Sequence, residues 1–221
     1  MKAIKILSAF CLLVFFFACN KDDVKGKGEI SGTLYYRNTL TGIGDSIKIP
    51  NTDLFIQFED RGTSSYLYKV PTDAGAKFIF TNLDKNKNYY IFKTWESDGV
   101  KYLLKELHKP DQKDISLVLI PDEAAQSGFQ LSVIDSLNTP VSNMKLWVFT
   151  NKILADNNDT LGNIFSITTN NYGKAFKLGI QPGNYYINAK DTIGNINLKG
   201  KKIVIVPNPG IFKDTFLLKR F

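Results

Sequence analysis

From Gly28 onward the chain is written in short apolar runs, each closed by Gly, Pro, Asn or Asp. Ile30, Gly32, Leu34 and Tyr36 alternate with Ser31, Thr33 and Tyr35. Leu54-Phe55-Ile56-Gln57-Phe58, Tyr66-Leu67-Tyr68-Lys69-Val70 and Phe78-Ile79-Phe80 follow. Then come Tyr89-Tyr90-Ile91-Phe92, Tyr102-Leu103-Leu104 and Ile115-Ser116-Leu117-Val118-Leu119. A period of two residues, rich in β-branched and aromatic side chains, is the pattern of strands. Helical periodicity is scarce, with room for one turn over 122–127. The expected fold class is therefore all-β, and strands at this spacing read as Ig-like β-sandwiches.

Pro121-Asp122-Glu123-Ala124-Ala125-Gln126-Ser127-Gly128 interrupts the pattern, which then restarts with Phe129, Leu131 and Val133. The restart reads as a repeat. Thr72-Asp73-Ala74-Gly75 before Phe78-Ile79-Phe80 matches Thr169-Asn170-Asn171-Tyr172-Gly173 before Phe176-Lys177-Leu178, with one extra residue before Gly173. Asn88-Tyr89-Tyr90-Ile91 recurs as Asn184-Tyr185-Tyr186-Ile187. Asn51 with Leu54-Phe55-Ile56 lines up with Asn143 and Leu146-Trp147-Val148. Two tandem domains are expected, 28–121 and 129–221, joined by a linker at 122–128. Gly75 and Gly173 are placed where a tight turn needs positive φ. Phe78 and Phe80, like Phe176 and Leu178, alternate toward one face. Tyr89 or Tyr185 fits the part of a tyrosine that bonds back to its loop.

At these residues each unit resembles the carboxypeptidase regulatory-like domain, also called transthyretin-like or prealbumin-like. The second unit fits better, through Thr169, Gly173, Phe176 and Gln181-Pro182-Gly183-Asn184-Tyr185. In the first, Lys85-Asn86-Lys87 stands where the pattern has Pro-Gly. The resemblance implies a seven-stranded or similar sandwich and an accessory rather than a catalytic role.

The N-terminus carries an address. A basic start, Met1-Lys2-Ala3-Ile4-Lys5, precedes an apolar run over 6–18. That run is shorter than the about 20 residues of a membrane span and has the layout of a signal peptide, 1–18. Ala18-Cys19 resembles the lipobox of bacterial lipoproteins, with Phe16 and Phe17 departing from the common pattern as the relaxed lipoboxes of Bacteroidota do. The resemblance implies acylation of Cys19; the alternative is an ordinary cleaved signal with an incidental cysteine. Acyl chains contribute roughly 0.8 kcal/mol per buried methylene, so two or three hold a protein at a membrane. Lys21, Asp22 and Asp23 resemble the acidic tags that send Bacteroidota lipoproteins to the cell surface; the alternative is a solvated linker over 19–27. The expected location is the outer membrane, lipid-anchored and facing outward.

Chemistry is sparse. Of two cysteines, Cys11 leaves with the signal and Cys19 would carry lipid, so no intramolecular disulfide is available. The net charge of +7 comes from scattered basic residues, with short clusters at Lys199-Gly200-Lys201-Lys202 and Lys219-Arg220. No nucleic-acid motif accompanies them, and a mildly basic surface near anionic lipopolysaccharide accounts for them. His108 is the only histidine, in Leu107-His108-Lys109-Pro110-Asp111, with no nucleophile-elbow motif. A His/Cys metal cluster is excluded by count. Asp156 and Asp159 offer oxygen ligands to a cation but lack the rest of an EF-hand loop, and turn formation between strands is the plainer explanation. Trp147 lies in an apolar strand and is expected in the core. Trp95 precedes the Glu96-Ser97-Asp98-Gly99 hairpin and is either core or an anchor for a glycan or protein. No cofactor is expected. The reading is a non-enzymatic, membrane-anchored surface binding or spacer module. Its rivals are an accessory subunit of an outer-membrane transporter or adhesin, and a hydrolase using His108.

Overall fold

The computed structural model describes residues 26–58, 66–157, 160–193 and 196–220. The protein is all-β. Its first strands are β1 (Gly28–Tyr36), β2 (Ile47–Lys48), β3 (Asp53–Phe58), β4 (Tyr68–Pro71), β5 (Lys77–Leu83), β6 (Tyr89–Ser97), β7 (Val100–His108) and β8 (Gln112–Pro121). After a 3-10 turn at Glu123–Ala125 come β9 (Ser127–Ile134), β10 (Lys145–Phe149), the short helix α1 (Lys152–Asp156), β11 (Phe165–Thr168) and β12 (Lys174–Leu178). The chain closes with β13 (Gly183–Ile193), β14 (Ile196–Val206), β15 (Gly210–Leu217) and β16 (Lys219–Arg220).

The same topology occurs twice. In the first unit β1 lies between antiparallel β5 and parallel β8, while β4, β3, β6 and β7 form an antiparallel row. In the second, β9 lies between antiparallel β12 and parallel β15, while β11, β10, β13 and β14 form the row. Each unit closes by a crossing of its last strand. β8 reaches β7 at Tyr102↔Pro121 and Leu103↔Ile120. β16, which continues β15, reaches β14 at Leu198↔Arg220 and Lys199↔Lys219.

Alternation fills two separate cores. Ile30, Leu34, Leu54, Ile56, Phe78, Phe80, Tyr89, Ile91, Leu117 and Leu119 are buried in the first. Phe129, Leu131, Val133, Leu146, Val148, Ile187, Val204 and Phe216 are buried in the second. Each such side chain contributes about 1.5–3 kcal/mol through its removal from water. Tyr89 and Tyr185 both act as corner tyrosines: the Tyr89 hydroxyl accepts from the Asp84 amide at 2.8 Å, and Tyr185 donates to the Gln181 carbonyl at 2.7 Å.

Two expectations need correction. The extra residue before Gly173 does not exist in the turn. The Asp73 carboxylate accepts from the Gly75 and Lys77 amides, and the Asn170 side-chain oxygen accepts from Tyr172 and Lys174. Gly75 therefore corresponds to Tyr172, and Ala76 to Gly173. The left-handed residue of the first turn is Ala76, at φ 64°, matching Gly173 at φ 66°. It follows that Ala175, not Phe176, takes the inward place of Phe78, and Ala175 is buried in the second core.

Trp147 is the other correction. Leu146 and Val148 point inward, so alternation turns Trp147 out, where it is only half-buried with the Lys145 ammonium 5.7 Å from its ring. Phe149 shares that outer face but is fully buried, because α1 packs over β10 and β13.

Candidate functional site

The most elaborated surface in the molecule is the junction of the two units. The connection is short. Asp122 caps its 3-10 turn by accepting from the Ala124 amide, and Gln126 is then clamped to β7. The Gln126 side chain accepts from the Lys101 amide at 3.1 Å and donates to the Lys101 carbonyl at 3.2 Å, so an amide side chain replaces a strand neighbour. Glu123 pairs with Lys213 of β15 across the joint.

A second fastening comes from the loop after β1. Asn38 caps a 3-10 turn, Thr39–Thr41, that buries Leu40. The Leu40 carbonyl accepts from the Gln130 side chain at 2.7 Å, and the Thr41 carbonyl accepts from the Asn170 side chain at 2.6 Å. Phe176 and Leu178, on the outer face of β12, pack against the core of the first unit. The sequence places these two side chains on one face of the strand, as observed, without saying what that face meets. The available signal was Ala175, whose small side chain leaves Phe176 and Leu178 for the opposite face.

Trp95 stands beside this junction. Its ring meets Tyr36 edge-on at 4.5 Å and Tyr102 at 5.6 Å, and it packs on the first core while remaining partly exposed. It lines a depression of about 350 Å³ with Thr94, Glu96, Lys101, Tyr102, Asp122 and Ala125. Burial pushes the Tyr102 hydroxyl pKa up to about 12, with Tyr36 and Asp98 adding to the rise. The hairpin beyond Trp95 is a two-residue turn in which Asp98 and Gly99 both have positive φ. The depression thus joins an aromatic wall to both signs of charge, a lining suited to a polar ring such as a sugar.

The other sequence candidates are not brought together. His108 is mostly buried at the end of β7, with Nδ1 2.9 Å from the Gln112 side-chain oxygen and Nε2 3.3 Å from the Glu106 carboxylate. No aligned hydrogen bond forms at Nε2. The Glu106 carboxylate raises the imidazole pKa above its usual value, Gln112 adds to the rise, and burial opposes it. Asp111 pairs instead with Lys85 at 2.6 Å. Neither contact of His108 is a hydroxyl or a thiol, so the described residues do not pair it with a serine or cysteine nucleophile.

Asp156 ends α1 and pairs with Lys152 at 2.5 Å and Lys201 at 3.6 Å. The Lys152 ammonium holds its carboxyl below the ordinary value. Its lone pairs thus face lysines, and among the described residues no three His, Cys, Asp or Glu side chains gather as a metal site. Asp159, Cys19, Lys21, Asp22 and Asp23 lie outside the described residues.

No family model matches this chain, and no curated protein matches its sequence. Among solved structures, the shaft pilin SpaA of Lactobacillus rhamnosus GG is 9% identical over 87% of this chain and 98% of that one, at a TM-score of 0.33. The minor pilin GBS52 of Streptococcus agalactiae is 10% identical over 88% and 97%, at 0.34. A streptococcal ancillary pilin is 10% identical over 86% and 69%, at 0.35. Superpositions this loose decide neither fold nor function, and the all-β assignment rests on the strands themselves.

Proposed function

We propose that this chain is a non-enzymatic, lipid-anchored surface module in which the first unit is a spacer and the second presents a binding surface. The observation that carries the reading is the doubly fastened junction. The chain enters the first unit beside Leu83, where the Gly26 amide donates to the Asn82 carbonyl. It then runs the length of β1, nine residues, to the loop that holds the second unit. At about 3.3 Å per residue, entry and junction lie roughly 25–30 Å apart. A tether through Cys19 would therefore hold one end of the first unit, and the second unit would be held at the other.

The test is proteolysis of the full chain on intact cells beside a lysed control. Digestion of the second unit on intact cells, lost when Lys21, Asp22 and Asp23 are replaced by Ala, supports outward display. Protection on intact cells, with digestion only after lysis, overturns it. Co-purification with an outer-membrane protein would favour the accessory-subunit reading.

A further inference from the structure

The repeated topology builds the same socket in each unit. In the second unit it receives the 38–42 loop. Gln130 donates to the Leu40 carbonyl and Asn170 to the Thr41 carbonyl. Phe176 packs on the first core, and Gly42 lies against the Lys174 stem, whose Cγ is 3.2 Å from where a Cβ would stand. Register gives each of these a counterpart in the first unit. Phe176 is opposite Gln130 as Ile79 is opposite Ser31. Asn170 and Lys174 match Asp73 and Lys77 through the same turn hydrogen bond. Ser31, Asp73, Lys77 and Ile79 line a cavity of about 550 Å³, together with Asp114. Ile79 and Ser31 are smaller than Phe176 and Gln130, so the first socket is the deeper one, and Ile79 is 50% exposed in it.

The loop that fills the second socket is a knob of defined build. The Asn38 side chain accepts from the Leu40 amide at 3.1 Å, and the Asn38 carbonyl accepts from the Thr41 amide at 3.3 Å. Leu40 is fully buried. The loop after β9 has the same build. The Asp135 side chain accepts from the Leu137 amide at 2.8 Å, and the Asp135 carbonyl accepts from the Asn138 amide at 3.0 Å. Asn38-Thr39-Leu40-Thr41 and Asp135-Ser136-Leu137-Asn138 are therefore equivalent turns, each just past the first strand of its unit. Asp135 also accepts from the Thr139 amide and pairs with Arg220, which fixes the second knob in advance of any partner. Leu137, unlike Leu40, is 67% exposed. A lone exposed leucine is ordinary on a surface. A leucine presented in the same turn as one that is buried in a socket is not.

We propose that the Leu137 knob of one copy of this chain seats in the Ser31–Ile79 socket of another. Copies then associate head to tail through a contact of the same kind as the junction within each chain. The polar groups fit with their roles exchanged. Where Asn170 donates, the Asp73 carboxylate can only accept, and its Oδ1 already takes the Gly75 and Lys77 amides, which leaves Oδ2. Asn138 holds the place of Thr41 and brings a side-chain amide with two N–H groups to meet it. The Ser31 hydroxyl can donate to the Leu137 carbonyl as Gln130 does to that of Leu40. Knob and socket lie on different units, so the contact is heterologous, and each added copy brings a free end for the next. The inference goes beyond the surface-module reading and does not depend on the lipid anchor, since both halves of the contact lie in the folded units.

The test is sedimentation velocity of the full chain in detergent across a concentration series. Detergent disperses the apolar run over 6–18, which every variant shares. The wild type is expected to gain mass with concentration, past the dimer. Leu137→Asp removes the knob and Ile79→Asp removes the socket, and each alone is expected to lower the association constant by at least about tenfold. Both positions are exposed, so both variants are expected to melt close to the wild type. An equal mixture of the two is expected to restore one contact and to stop at a heterodimer, because the intact knob of one variant meets the intact socket of the other. A wild type that stays monomeric to about 1 mM would leave the socket to a different protein and overturns the proposal. A dimer that neither variant weakens overturns it, as does a mixture that associates no more than its parts.

Discussion

Thr72 and Thr169 hold the same post in the two units. The Thr72 hydroxyl donates to the Ile49 carbonyl at 3.0 Å and accepts from the Thr52 amide at 3.0 Å. The Thr169 hydroxyl donates to the Val141 carbonyl at 2.6 Å and accepts from the Met144 amide at 2.9 Å. Both are buried. A valine of the same shape would leave a buried amide and carbonyl unpaired, so Thr72→Val and Thr169→Val should each cost about 2 kcal/mol in urea unfolding. Thr→Ser at either place should keep most of the stability. A valine variant as stable as wild type would contradict the assignment.

The turns that follow differ in one residue. Ala76 adopts φ 64° with a side chain, whereas Gly173 adopts φ 66° without one. Ala76→Gly relieves strain but loosens the unfolded chain, and should change stability by less than about 1 kcal/mol. Gly173→Ala should cost more, about 2 kcal/mol, because its new Cβ would also meet the Val133 carbonyl oxygen at 2.6 Å. The asymmetry between the two variants is the measurable quantity.

Trp95 is wedged against Tyr36 and Tyr102. Trp95→Ala should destabilise the first unit by about 2–3 kcal/mol through lost packing. Trp95→Phe should restore most of that loss. If glycan-array binding by the full chain survives Trp95→Phe but not Glu96→Ala, the site lies on the rim. If no binding changes in any variant, Trp95 is packing alone.

Stability should depend on pH at both ends. His108 has a raised pKa in the fold, so its contribution is complete below the ordinary 6.5 and fades as pH rises through the folded value. His108→Gln should flatten that high-pH decline. Asp111, Asp135 and Asp214 are held below the ordinary 3.8 by Lys85, Arg220 and Lys202. Their contribution is complete above that value and fades as pH falls through the folded values. Urea midpoints across the range read both limbs, and identical slopes in wild type and His108→Gln would contradict the first.

Strand positions were legible because alternation is strict where one face is buried, as in Ile30, Gly32 and Leu34 or Phe129, Leu131 and Val133. The repeated Asn-Tyr-Tyr-Ile was legible because both corner tyrosines make local bonds. Phe176 and Leu178 share one face as their alternation implies, but a contact between units has the same period as a core, so what that face meets was not legible. Trp147 misled because composition says apolar while alternation decides inside or outside.

The central claim is that the two units are fixed to one another by Gln126, Gln130, Asn170, Phe176 and Leu178. Residual dipolar couplings measured on the full chain test it most directly. One alignment tensor should fit the amides of 28–121 and 127–220 together, and Phe176→Asp should split it into two. Two independent tensors in the wild type would contradict the fixed junction and, with it, the spacer reading.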